Sequence, residues 1–354
     1  MQINLSNLKI NYIDYFSKLS LGNFRNPLVR QVGLACLTFI GVGTTLYFTL
    51  RKIKRMTPSL EGYWKNRLLA ALGNPSASRN MGQWHENEGI EETRRSAYDN
   101  YLKAALKGDA AAQFKIAQCL IHGWGTAQNI PQAISYYILS ANNGFLDAQR
   151  SLAQMYNMGT HVPKNVHEAL KYFKLAAAQK TTRDDHYQMG VLYEASGDLI
   201  QATQAFKIAA DLGCEHAQCE YAILRLNQED REESLKYFQK AAAQGFGIAY
   251  RYLGDVHESD PEKALEYYMK GSKLKCGEAT YKIADFYFET DTDKSLKYIR
   301  KSAKQGYAKG QCDLAGLLET RKNLEKALKY YKLAAAQGHE EAKQKVQKLS
   351  APRT

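Results

Sequence analysis

The chain has 354 residues, 45% hydrophobic and 24% charged, with 7 Pro, 24 Tyr and a formal net charge of +12. That length admits two ordinary domains or one elongated array. The charge does not point to nucleic acid, because +7 of it lies in residues 1–60, where Lys9, Lys18, Arg25, Arg30, Arg51, Lys52, Lys54 and Arg55 face one acid, Asp14. Cys36, Cys119, Cys214, Cys219, Cys276 and Cys312 are scattered, without a CxxC, and read as reduced thiols rather than a disulfide framework.

Residues 1–30 form a basic segment with Leu5, Leu8, Tyr12, Tyr15 and Leu19 at helical spacing, either interfacial or disordered. Its scarcity of acids also fits a mitochondrial presequence. Residues 31–51 are predicted to form a single transmembrane helix. The stretch 32–50 is free of charge, and as a helix it would span about 28 Å, close to the hydrocarbon thickness of a bilayer. A cleaved signal peptide and a buried helix are the alternatives, but the run ends in Thr49-Leu50-Arg51 rather than a small-x-small site. Five Lys/Arg follow the span within fifteen residues and three precede it, which places the C-terminal array in the cytosol. Residues 52–72 read as a linker and N-terminal cap.

From there the chain repeats itself. EALKYFKLAAAQK (168–180), ESLKYFQKAAAQG (233–245) and KALKYYKLAAAQG (326–338) are nearly one peptide, with weaker copies beginning at 96, 132, 201, 263 and 294. Each places a small residue, an aromatic four later and a small residue four after that on one helical face, and most then reach a Gly stop. A second kind of helix alternates with these. Its first column holds Ala77, Ala112, Ala148, Asp185, Ala217, Ala249, Ala279, Gly310 and Ala342, small except at Asp185. Its apolar column runs from Met81 and Ile116 to Leu314 and Val346, followed by a small column from Gly82 to Ala315 that ends in Gln347. The small residues allow close helix approach and the aromatics fill the neighbouring gaps, which assigns many tyrosines to the core. The stride from each aromatic helix to the next small-column helix is 15 residues, once 16, whereas the loop inside each pair varies. Residues 73–338 thus hold eight helix pairs, and 339–354 a capping helix and tail.

These columns, with the loops HGWGTAQNIPQA (122–133) and NMGTHVPKNVHEA (157–169), resemble Sel1-like repeats of the TPR superfamily over residues 60–350. The resemblance implies an all-α fold, a right-handed α-solenoid of helix-turn-helix repeats, working as a protein–protein interaction scaffold or adaptor. In such stacks the inward face of the first helix lines a concave groove for a partner peptide or helix. Here that face would carry Phe114/Gln118, Arg150/Gln154, Tyr187/Val191, Arg251/Asp255 and Tyr281/Asp285, and Arg and aromatics are hot-spot residue types. Cys219 and Cys312 recur in the same column and read as variants of a surface position.

No chemistry is expected. His161 and His167 lack the HExxH spacing of zinc hydrolases, and Gly123-Trp124-Gly125 follows no strand and is no phosphate cradle. His85 and His257 fall in a column otherwise held by Leu120, Tyr156 and Tyr193, which suits packing. The expectation is no catalytic residue, no cofactor, no metal and no small-molecule substrate; the partners are protein and membrane. An envelope- or organelle-facing binding module, in a mitochondrial membrane or as a secreted effector, is the alternative.

Overall fold

The computed structural model describes residues 58–87 and 91–350. The basic segment 1–30 and the apolar run 32–50 lie outside the described residues, and among the described residues no helix is long and apolar enough to cross a membrane. Eighteen helices and no strands are found among the described residues. Two compact units divide at residues 143 and 144.

The first unit holds α1 (Pro58–Ala71), α2 (Pro75–Asn87), α3 (Glu91–Ala105), α4 (Ala110–His122) and α5 (Ile130–Asn142). Helix α2 packs on α3 and α4 on α5. The Gly-x-Gly loop after α4 runs against α3: a Cβ at Gly125 (φ 67°) would lie 2.2 Å from the Arg94 carbonyl oxygen. A side chain there is excluded twice, by backbone conformation and by space.

The second unit holds α6 (Leu146–Met158), α7 (Val166–Gln179), α8 (Arg183–Ala195), α9 (Leu199–Asp211), α10 (Glu215–Asn227), α11 (Arg231–Ala243), α12 (Gly247–Val256), α13 (Pro261–Lys273), α14 (Gly277–Phe286), α15 (Thr292–Lys304), α16 (Ala308–Thr320), α17 (Leu324–Ala336) and α18 (Glu340–Ser350). From α6 to α17 these are six pairs, each a small-column helix followed by an aromatic helix, and successive helices pack on one another.

Packing explains the columns. Ala148, Ala217, Ala249 and Ala279 are fully buried, as are Phe206 and Phe238 on the aromatic helices. Where the second small column holds glycine, the ring lies across it: a Cβ at Gly190 would meet Phe206 at 2.5 Å, and one at Gly254 would meet Tyr268 at 2.3 Å. The tyrosines among these rings carry a hydroxyl that needs a partner once buried. Tyr101 donates to Glu86 (2.6 Å), Tyr268 to Asp255 (2.7 Å) and Tyr331 to Glu319 (2.8 Å), each acid standing on the paired small-column helix.

The aromatic helices begin on side-chain caps. Asn165 accepts from the Glu168 amide, Asp198 from Gln201 and Asn323 from Lys326. Each such cap contributes about 1 kcal/mol. Several small-column helices instead begin at Phe145, Cys214, Phe246, Cys276 or Tyr307, which offer no side-chain cap.

Between pairs the second unit uses three residues every time: 180–182, 212–214, 244–246, 274–276, 305–307 and 337–339. A buried glutamine accounts for much of this constancy. Gln218 (3% exposed) donates to the Ala210 carbonyl at the end of α9 (3.1 Å) and accepts from Gln244 just after α11 (2.9 Å). Gln311 repeats the pattern with Ala303 and Gln337, Gln149 is joined to Gln179, and in the first unit Gln113 takes Ala105 and Asn143. Three consecutive helices are thereby tied through one amide, which also satisfies a carbonyl left over at a helix C-terminus.

Candidate functional site

The predicted groove residues stand on the small-column helices. Phe114 and Gln118 are half-buried on α4 in the first unit, Phe114 edge-on to Tyr137 with centroids 5.5 Å apart. The other eight lie in the second unit. Gln154 and Asp285 are exposed, Tyr187, Val191, Arg150, Arg251 and Asp255 are half-buried, and Tyr281 is buried. The column is therefore not uniformly open.

Several of these residues are engaged by the following repeat. Arg150 on α6 grips Asp185 on α8, its Nε donating to Oδ1 at 3.0 Å and its Nη2 to Oδ2 at 2.7 Å. Thr182, the N-cap of α8, donates to the same carboxylate at 2.7 Å. This pairing explains the lone acid in the small column: the Asp185 side chain is 5% exposed and that of Arg150 27%. The carboxylate lifts the already high pKa of Arg150 through that hydrogen bond.

The same joint recurs with other chemistry. Tyr187 on α8 contacts the His216 ring on α10 (5.9 Å), and His216 in turn lies 4.7 Å from Phe246. Arg251 on α12 reaches Glu278 on α14 (3.3 Å) while holding Asp255 on its own helix (2.7 Å) and stacking on Tyr252 (3.5 Å). Tyr281 on α14 donates to Asp313 on α16, with Tyr307 and the Lys309 ammonium beside its ring. In each case a residue two beyond the small column meets residues at or just before the start of the next small-column helix.

Proton affinities along this face diverge. Burial pushes the Asp255 carboxyl up, but hydrogen bonds from Arg251 and Tyr268, with the nearby Lys282, outweigh it and hold the group below the usual carboxylate range. Burial raises Glu220, with Glu194 adding to it. Burial likewise raises Asp285, where Lys309 and Lys282 oppose the shift and Asp313 reinforces it.

The cysteines need a correction. Cys219 and Cys312, expected on the surface, are each 3% exposed, because stacking of the next repeat closes over a position that faces outward on a lone helix pair. Burial pushes the Cys219 thiol up to about 12 and the Cys312 thiol up to about 11. Of the two histidines expected to pack, His257 lies 5.2 Å from the Tyr267 ring and bonds the Leu253 carbonyl through Nδ1, and His85 is half-buried with its ring 5.1 Å from that of Trp84.

Two groups of potential metal donors stand out in the structure. Cys214, Glu215 and His216 form one at the start of α10. Cys312 on α16 with His339 and Glu341 at the start of α18 forms the other, and in each group the donor atoms lie within 4.8 Å of one another. The second joins residues 27 and 29 positions apart, a separation that only the stacking register turns into contact.

The family model described as Sel1 repeat matches residues 75–109, 110–145, 146–180, 216–246, 247–275, 278–307 and 310–339. The unmatched stretch between 180 and 216 is the repeat with Asp185 in its small column. Among curated proteins, Chitin synthase regulatory factor 4 of Schizosaccharomyces pombe is 31% identical over 126 residues, 32% of this chain. The match spans 20% of that relative's length. Among solved structures, a Sel1 repeat protein from Oxalobacter formigenes superposes with a TM-score of 0.67 at 20% identity, covering 81% of this chain and 90% of that one. A protective antigen of uropathogenic Escherichia coli strains displaying an SLR fold gives 0.52 at 22% identity, covering 80% and 73%.

Proposed function

From the premise that this chain belongs to the Sel1 repeat family, whose members are generally protein-interaction scaffolds, we propose that it binds a partner protein along the small-column helix face of its second unit. The supporting observation is that α6, α8 and α14 leave Gln154 and Asp285 exposed and Tyr187 and Val191 half-exposed on helices whose register is fixed by the ion pairs and glutamine bonds described above. A row of unlike side chains on helices of fixed register suits an extended peptide or a partner helix, since little backbone freedom remains to be lost. The name of the S. pombe relative, a regulatory factor for an enzyme, fits a role exerted through binding rather than through a reaction of its own.

Membrane tethering is part of the same proposal. It rests on the uncharged run 32–50 and the basic residues beside it. The repeat units would then be presented on the side of the membrane where Arg51, Lys52, Lys54 and Arg55 lie.

Proximity labelling in cells tests the binding face. Wild type is compared with the triple variant Gln154→Glu, Val191→Arg and Asp285→Arg, whose positions are exposed or half-buried. The variant is expected to keep its helical circular dichroism and lose its specific labelled set; an unchanged set with intact helicity overturns the assignment. For the tether, deleting 32–50 should move the chain from the membrane pellet to the supernatant, and unchanged sedimentation refutes it.

A further inference from the structure

We propose that Cys312, His339 and Glu341 form a binding site for a divalent metal ion of the zinc class, stapling the final helix α18 to the last helix pair. The argument begins with the joint between repeats. At the joints made by Arg150, Tyr187, Arg251 and Tyr281 the residue two beyond the small column meets a complementary partner: arginine meets aspartate or glutamate, and tyrosine meets an imidazole, a ring or an ammonium. At the last joint the three residues in these places are a thiol, an imidazole and a carboxylate, all electron-pair donors, with donor atoms within 4.8 Å of one another.

That set matches the ligand preferences of zinc, which takes thiolate at about 2.3 Å and imidazole or carboxylate at about 2.0–2.2 Å in tetrahedral sites. Such distances place neighbouring donors about 3.3–3.6 Å apart, so side-chain rotations closing about 1 Å suffice, and water takes the fourth position. Cys312 is buried and Glu341 exposed, with His339 between them in accessibility, so an ion has an entry path while the sulfur stays dry. The imidazole is loosely held at present: its Nδ1 accepts from the Ala342 amide at 3.4 Å, a long contact.

Electrostatics around the site are compatible with a dication. Lys345, whose ammonium acts on the thiol, is committed to Glu319 at 2.9 Å. Glu340 and Glu341 in the first turn offset the positive end of α18. A bound dication takes the Cys312 sulfur as thiolate, so binding releases a proton. The group at Cys214, Glu215 and His216 is a weaker candidate, because Glu215 already faces Arg183 (4.0 Å) and the His216 ring is held between Tyr187 and Phe246. It serves as the internal control.

The test is a Co2+ titration of the full chain in detergent under a metal-free reductant, followed by Zn2+ competition. Wild type should bind one equivalent of Co2+ with a thiolate-to-cobalt charge-transfer band that Zn2+ abolishes. Cys312→Ser should remove the band, and Cys214→Ser should leave it. His339→Asn keeps an N-cap oxygen for α18, so it should fold as wild type and bind at least about 10–100-fold more weakly; Glu341→Gln should weaken binding in the same sense. Should Cys312→Ser fail to fold, His339→Asn alone decides. A band that survives Cys312→Ser, a band lost instead in Cys214→Ser, unchanged affinity in His339→Asn, or no thiolate band in wild type overturns the site.

Discussion

Replacing Arg150 by Ala removes one side of a joint whose two partners differ in burial, and the difference fixes the sign of the result. The Asp185 side chain is 5% exposed and that of Arg150 27%. In Arg150→Ala the carboxylate stays where it is, with Thr182 as its remaining side-chain partner. Stranding one member of a buried pair costs about 3–5 kcal/mol. Water reaches the site vacated by a partly exposed guanidinium, which lowers the figure to about 2–3 kcal/mol. Asp185→Ala installs the residue found at this position in most repeats and frees a guanidinium that turns to solvent, so the loss is about 1 kcal/mol. The double variant should lie close to Asp185→Ala, more stable than Arg150→Ala alone, giving a coupling of about 2–3 kcal/mol. Urea denaturation followed by circular dichroism measures the order. Repeat arrays can unfold in segments, so amide hydrogen exchange across α6 and α8 supplies the local readout. If Arg150→Ala is no worse than Asp185→Ala, or the two losses simply add, the stranded-carboxylate argument is wrong.

The remaining predictions use the same variables. Gly190→Ala drives a methyl into the Phe206 ring at 2.5 Å and should cost about 1–3 kcal/mol. Gly316→Ala meets only the Tyr331 hydroxyl, at 3.6 Å, and should stabilise by about 0.5–1 kcal/mol through helix propensity; thermal melts of the pair separate crowding from propensity. Asn165→Ala removes the cap of α7 and should lower stability by about 1 kcal/mol, visible as faster exchange of the first-turn amides. On the acid side, Asp255 is held below the usual carboxylate range, so its stabilisation is complete above that range and is lost as pH falls through its lowered folded pKa. Asp255→Asn should therefore flatten the acid limb of a melting-temperature profile. Glu220 has the opposite sign: its folded pKa is raised, so its contribution is full below the usual carboxylate range and is lost as pH rises through the raised value. Glu220→Gln should raise the melting temperature near neutrality, and a drop there would contradict the assigned direction.

The fold was legible because it is written in local periodicity. Small, aromatic and small residues at four-residue spacing place one stripe on one helix, and a stride of 15 residues, once 16, needs no tertiary information to be seen. The glutamine ties were visible only as letters: Ala-Gln at 112–113, 148–149 and 217–218, and Ala-Gln-Gly at the ends of two aromatic helices, 243–245 and 336–338. Their meaning depends on three helices stacking at once. Asp185 looked like a flaw in its column because Arg150, which pairs with it, stands 35 residues away. Cys219 and Cys312 were misplaced for a related reason. On an isolated pair their position faces outward, and burial arises only when the following repeat closes over it. The donor set of Cys312, His339 and Glu341 is invisible to motif spacing for the same cause, since its members come from two different helices.

Those polar joints do something the small columns cannot. Rows of alanine and glycine give close approach, yet a row of methyl groups tolerates sliding, because neighbouring registers bury nearly the same area. A buried glutamine at 1–5% exposure, such as Gln113, Gln149, Gln218 or Gln311, accepts no such slip. Moving one helix by a residue would leave its amide without the preceding carbonyl and the following glutamine, and each unsatisfied buried group costs about 1–3 kcal/mol. The Arg150–Asp185 and Arg251–Glu278 pairs add the same directional demand with charge. Hydrophobic burial thus supplies the drive to stack, while the polar joints select one register. On the proposed function that selection is essential, because a partner would read Gln154, Val191 and Asp285 together only if the spacing between their helices is the same in every molecule.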